Sequence, residues 1–120
     1  MTWEVCTSGA AIHKAGENAD ATIIASGSAL ADYYDEAIAF ACVAARKDVQ
    51  TNFSSLTNPG RKLIQEIVTC HIAQQIIKWN MGVYTSRGEA TTMLNILENS
   101  IQRNVALLKD DNHKTYLGIT

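Results

Sequence analysis

The stretch NPGRKLIQEIVTCHIAQQIIKWNMGVYTSRGEATTMLNILENSIQRNVALLK, from Asn58 to Lys109, decides the fold. Its first part opens on Asn58-Pro59-Gly60, with Asn58 expected as N-cap and Pro59 at the first helical position, where a missing N–H costs nothing. Leu63, Ile64, Ile67, Val68, Ile72, Ile76 and Trp79 then recur at steps of three and four, the period of an amphipathic helix. Gly82 follows as a candidate left-handed C-cap. Ser86-Arg87-Gly88-Glu89 has the S-x-x-E form of a capping box, which sets Ser86 as the N-cap of a further helix. That helix carries Ala90, Leu94, Leu97, Ile101, Val105 and Leu108. Two helices joined by so short a corner are expected to fold back as an antiparallel pair.

Working outward, the spacing predicts two more helices and a tail. A short helix spans Gly9 to Ala15 with Ser8 as its cap, and closes at Gly16. Residues 17–27 read equally as a turn of helix or an extended piece. Ser28 is expected to cap a long helix from about Ala29 to Val49, with Leu30, Tyr33 or Tyr34, Ala37, Ile38, Ala41, Cys42 and Ala45 on one face. Its alanines allow a neighbouring helix to come close. In the polar connection Gln50–Thr57, Phe53 and Leu56 should anchor onto the core. The helix after Asn58 is apolar on more than one face, since Leu63, Ile67, Cys70 and Ile77 widen its main row; it should be central, covered by its two long neighbours. The expected fold is all-α: a bundle of three long helices of about 21 to 23 residues, each roughly 30 Å in length, plus a short N-terminal helix. Residues 1–111 form this bundle and 112–120 an extended C-terminal tail.

Composition fits one such domain. The chain has 120 residues, is 47% apolar and 18% charged, and holds a single proline. That is enough to bury a core without metal or disulfide support. The formal charge of −2 supplies no global attraction to nucleic acid or an anionic membrane. The basic pairs Arg46-Lys47 and Arg61-Lys62 sit near expected helix ends, where solvation accounts for them. No apolar run is long enough to span a bilayer, and the N-terminus lacks the pattern of a signal peptide. The expectation is a protein made in a reducing cytoplasm, with Cys42 and Cys70 as buried thiols; Cys6 makes the number odd.

The residue patterns offer little to chemistry. His13, His71 and His113 have no ligand partner at helical spacing. Cys70 and His71 are adjacent and so point about 100° apart on a helix, a poor chelate. His71, set among apolar residues, is expected to be a satisfied half-buried histidine. Asp32, Asp35 and Glu36 resemble a carboxylate cluster, but a solvated face explains them better than an acid–base pair lacking partners on a second helix. No Glu-x-x-His, G-x-G-x-x-G, P-loop or G-x-S-x-G pattern occurs. No catalytic, cofactor or metal residues are therefore assigned, and the chain is read as a non-enzyme. Met93 and Ile96 lie outside the main stripe of their helix and are candidates to face a neighbouring subunit.

Two segments resemble a known family. Thr7-Ser8-Gly9-Ala10-Ala11-Ile12-His13-Lys14-Ala15-Gly16-Glu17-Asn18-Ala19 is similar to the opening of short virion proteins of tailed bacteriophages. Gly82-Val83-Tyr84-Thr85-Ser86-Arg87-Gly88-Glu89-Ala90-Thr91-Thr92-Met93-Leu94 resembles a helix corner of the same group, departing from it at Val83 and Gly88. The group is that of head-to-tail connector or adaptor proteins. The resemblance implies a ring of identical subunits, commonly twelve, in the neck of the virion, assembled in the host cytoplasm between the portal protein and a tail or stopper protein. It also implies an extended terminal segment that reaches the portal or a neighbouring subunit, and the matching residues here are Tyr116, Leu117 and Ile119. It implies neither membrane contact nor specific nucleic-acid recognition. The alternatives are a neighbouring neck or tail-completion protein, or a small cytoplasmic helical module that binds a partner protein.

Overall fold

The computed structural model describes residues 5–16, 23, 25–45, 48, 50, 53–79 and 87–109. Among them are four α-helices and no strand: α1 (Ser8–Ala15), α2 (Gly27–Ala45), α3 (Asn58–Trp79) and α4 (Arg87–Lys109), with a single 3₁₀ turn at Phe53–Ser55. The fold is all-α.

Three N-termini share one device, and in each the cap stands earlier than expected. The Thr7 hydroxyl accepts from Ala10 N–H at 3.3 Å, the Ser26 hydroxyl from Ala29 N–H at 3.4 Å, and the Thr57 hydroxyl from Gly60 N–H at 3.3 Å. The carbonyls of the same three residues accept the first helical bonds, from Ala11, Leu30 and Arg61. Thr7, Ser26 and Thr57 are therefore the caps, in place of Ser8, Ser28 and Asn58. Pro59 becomes the second helical residue, still within the turn whose N–H groups lack intrahelical partners. The shift has a physical reason. A hydroxyl placed one or two residues upstream caps equally well and lets the helix gain additional residues. The Ser86 cap lies outside the described residues, as do Gly82 and the rest of the corner. At its other end the described helix α2 runs to Ala45, and Asp48, inside the range expected to be helical, is not in a helix.

The third helix packs against each of the other three. Ile64, Ile67, Val68, Ile72, Ala73, Ile76 and Ile77 are all fully enclosed. Removing an isoleucine or valine side chain from water stabilises by about 1.5–3 kcal/mol, and the Ala73 methyl by less. Trp79 departs from the expected stripe: it is 57% exposed, although Ile76 and Ile77 of the same turn are fully enclosed. The other helices are one-sided. Leu30, Tyr34, Ala37, Ala41, Ala44 and Ala45 are the buried residues of α2, and Ala90, Leu97, Ile101, Val105 and Leu108 those of α4. Leu56 is buried and Phe53 packs against the core, so both anchor the connection ahead of α3. Of the segment left open in the sequence, Ile23 is buried and its carbonyl accepts from Ser26 N–H, a turn leading into α2.

Two ties close the N-terminal side. The Tyr34 hydroxyl accepts from Val5 N–H at 3.3 Å and donates to Gln50 Oε1 at 2.7 Å, joining the start of the chain to the segment beyond α2. Gly16 ends α1 with φ 93° and ψ 168°, and its N–H points back to the carbonyls of Ile12 and His13. Its missing side chain makes room for Met93 of α4.

Candidate functional site

Three features stand out from the packed interior: a carboxylate hub, a histidine slot and two exposed apolar residues on the outer side of α4. The hub is Glu66. One face of α3 runs Leu63, Glu66, Ile67, Cys70, and a carboxylate in such company needs partners. Glu66 Oε1 accepts from Lys14 Nζ of α1 at 3.0 Å, from the Cys70 thiol at 3.3 Å and from the Ser100 hydroxyl of α4 at 3.3 Å. Burial alone would raise the Glu66 pKa. The Lys14 and Cys70 hydrogen bonds, the Lys14 charge and the Ser100 hydroxyl outweigh it and hold the carboxyl below its ordinary value. The same arrangement suppresses thiol chemistry. Burial, then the Glu66 charge, pushes Cys70 up to about 11, and burial raises Cys6 against a hydrogen bond with Thr69. Both are thiols rather than thiolates at neutral pH, and thiolates are the nucleophilic form.

Beside the hub is an open cleft of about 430 Å³, bordered by Cys6, Thr7, Lys14, Lys62, Glu66 and Thr69 among others. Its polar groups are largely committed to one another. Lys14 is paired to Glu66, Thr7 caps α1, and the Thr69 hydroxyl donates to the Gln65 carbonyl of its own helix.

The second feature is His71. Its ring stacks on Phe40 of α2, with centroids 5.7 Å apart and planes at 29°. Nδ1 is buried without a hydrogen-bond partner among the described residues. The expectation of a satisfied histidine is therefore corrected: the ring is half-buried as foreseen, but one nitrogen is orphaned. Nearby, Gln74 of α3 donates to Glu98 Oε2 at 2.9 Å and Gln102 donates to Glu98 Oε1 at 2.8 Å. The Gln74 amide, followed by Gln102, holds the Glu98 carboxyl below its ordinary pKa.

The third feature lies on α4. Ile96 is 61% exposed and Leu107 is 43% exposed. Eleven residues make about three helical turns, so the two share one side of the helix, with Arg103 between them. Met93, paired with Ile96 in the sequence reading, is only half-exposed and packs on the core beside Gly16. Tyr116, Leu117 and Ile119 lie outside the described residues. Asp32, Asp35 and Glu36 are exposed, and Cys6, Cys42 and Cys70 are all free thiols, with Cys42 only half-buried. Among the described residues no group of three or more His, Cys, Asp or Glu side chains could hold a metal ion, and no helix is long and apolar enough to cross a membrane.

The Glu66 hub escaped the sequence reading because its partners come from residues 34 and 52 positions away. The available signal was a carboxylate inside an apolar row. Comparison with family models, curated proteins and solved structures finds no match.

Proposed function

We propose that this chain is a structural protein of a tailed-phage neck, an adaptor whose subunits form a ring between portal and tail. The observation that carries the reading is the exposure of two large apolar residues, Ile96 and Leu107, on one side of α4, a helix whose opposite side already fills the core. Apolar residues on such a face have no further role inside the subunit, and they suit a contact with another chain. Support also comes from the resemblance of residues 7–19 and 82–94 to adaptor proteins, and from an all-α fold compatible with a three-rod bundle carrying a terminal tail. On this reading α4 contributes the contact between neighbouring subunits, and Tyr116, Leu117 and Ile119 of residues 112–120 dock on the portal or on the next subunit. Ordering so short a segment sacrifices conformational entropy, so binding has to bury its apolar side chains to offset it.

The test is assembly on genome-filled, tail-less heads followed by electron microscopy. The expected result is a ring at the portal vertex, lost on deleting residues 112–120 and on the double change Ile96→Asp with Leu107→Asp, while both proteins melt as cooperatively as the parent. A parent protein that stays monomeric at high concentration and never decorates heads overturns the proposal. Heads decorated normally by the truncated protein remove residues 112–120 as the anchor.

A further inference from the structure

We infer that the Phe40–His71 contact is a proton-operated latch that seats the C-terminal half of α2 on α3. The ring of His71 stacks on Phe40 at a tilt of 29°, and its Nδ1 is enclosed with no hydrogen-bond partner among the described residues. In a neutral imidazole one nitrogen is an acceptor, and an unpartnered acceptor in that position is tolerable. In the imidazolium both nitrogens are donors and the ring carries a charge, so the enclosed Nδ1 becomes a charged donor with nothing to receive it.

The groups around the ring do not rescue it. From α2, the Glu36 charge favours the cation, but Glu36 is exposed and screened by water. From α4, the Glu98 charge acts in the same direction, yet both its oxygens already accept from Gln74 and Gln102. Within α3 itself, the Lys78 charge opposes the cation. Burial outweighs the two carboxylates, and the His71 pKa lies below the ordinary histidine value of 6.5. A charged His71 therefore relieves its burden by turning out toward Glu36 and water. Leaving its slot, the ring gives up the face of Phe40 and loosens Ala37–Ala45, a run whose fully buried side chains are all alanines.

The sign follows from linkage. With the folded pKa depressed, the latch is fully closed above about pH 6.5, and its contribution is lost as pH falls from there through the folded value. The experiment is amide exchange on the full chain between pH 7.5 and 5, expressed as protection factors, beside a proton NMR titration of His71. Protection across Ala37–Ala45 should fall by up to about tenfold per pH unit below 6.5, while Ile72–Ile77 of α3 keeps its protection. His71→Phe, which keeps a stacking ring, and His71→Gln, which keeps polarity, should each abolish that fall. Two variants guard against one that packs poorly. Overturning results are protection in Ala37–Ala45 that does not respond to pH, an equal fall in both variants, or a His71 titration at or above the ordinary value. Glu66 does not confuse the reading, because its carboxyl titrates below the range measured.

Discussion

Replacing Gly16 with alanine tests how the first helix is ended. Gly16 holds φ 93° and ψ 168°, a backbone region occupied almost only by glycine, and placing a residue with a Cβ there costs on the order of 1–3 kcal/mol. The new methyl would also lie 2.9 Å from Met93 Cε. That atom is the far end of a flexible side chain and can retreat, at a rotamer cost of about 0.5–1.5 kcal/mol. The expected loss is about 2–3 kcal/mol, split between backbone and contact. For a chain of this size that lowers Tm by roughly 10 °C. Thermal and urea unfolding followed by circular dichroism read it, with an unchanged m-value showing that stability alone has altered. The double variant Gly16→Ala with Met93→Ala separates the two parts: it should fall short of the sum of the single effects by about 0.5–1.5 kcal/mol, the share due to the contact. A Gly16→Ala protein within about 0.5 kcal/mol of the parent would refute the argument, since neither the backbone region nor the close approach could then be as described.

Glu66→Gln removes a half-exposed ion pair and weakens two hydrogen bonds, and should cost about 1 kcal/mol at pH 7. Because the Glu66 carboxyl is held below its ordinary pKa of 4.5, the gap between parent and variant should persist above that pH and close as pH falls through the folded value; a gap that widens in acid contradicts the hub. Thr57→Ala should cost about 1 kcal/mol and Asn58→Ala much less, and the reverse order in urea melts would return the cap to Asn58. Ile72→Ala, at a fully enclosed position, should cost roughly 2–5 kcal/mol, and a variant that melts like the parent would take Ile72 out of the core.

Much of the fold was legible in the sequence because apolar period and helix length are local properties. The breadth of apolar residues between Leu63 and Ile77 marked α3 as the most buried helix, and it is. The first residues of helices were less legible. Thr7-Ser8, Ser26-Gly27-Ser28 and Thr57-Asn58 each present rival capping side chains one or two positions apart, and only backbone geometry selects among them. The carboxylate hub was hidden because it is a product of tertiary packing, with Lys14, Glu66 and Ser100 drawn from three helices. The orphan nitrogen of His71 was hidden likewise, since a sequence shows apolar neighbours but not which ring atoms they enclose.

The placement of α3 has a consequence for synthesis. It is the helix against which the other three pack, yet its last residue follows the end of α2 by 34 positions (79 minus 45). At about 5–20 residues per second, α1 and α2 wait roughly 2–7 s for a surface on which to settle. A segment in that position benefits from being unattractive to its own kind. Among the residues of α2 only Ile38 and Val43 are β-branched, and alanine is the most frequent type. Such a composition favours transient helix over the extended pairing that leads nascent chains to aggregate.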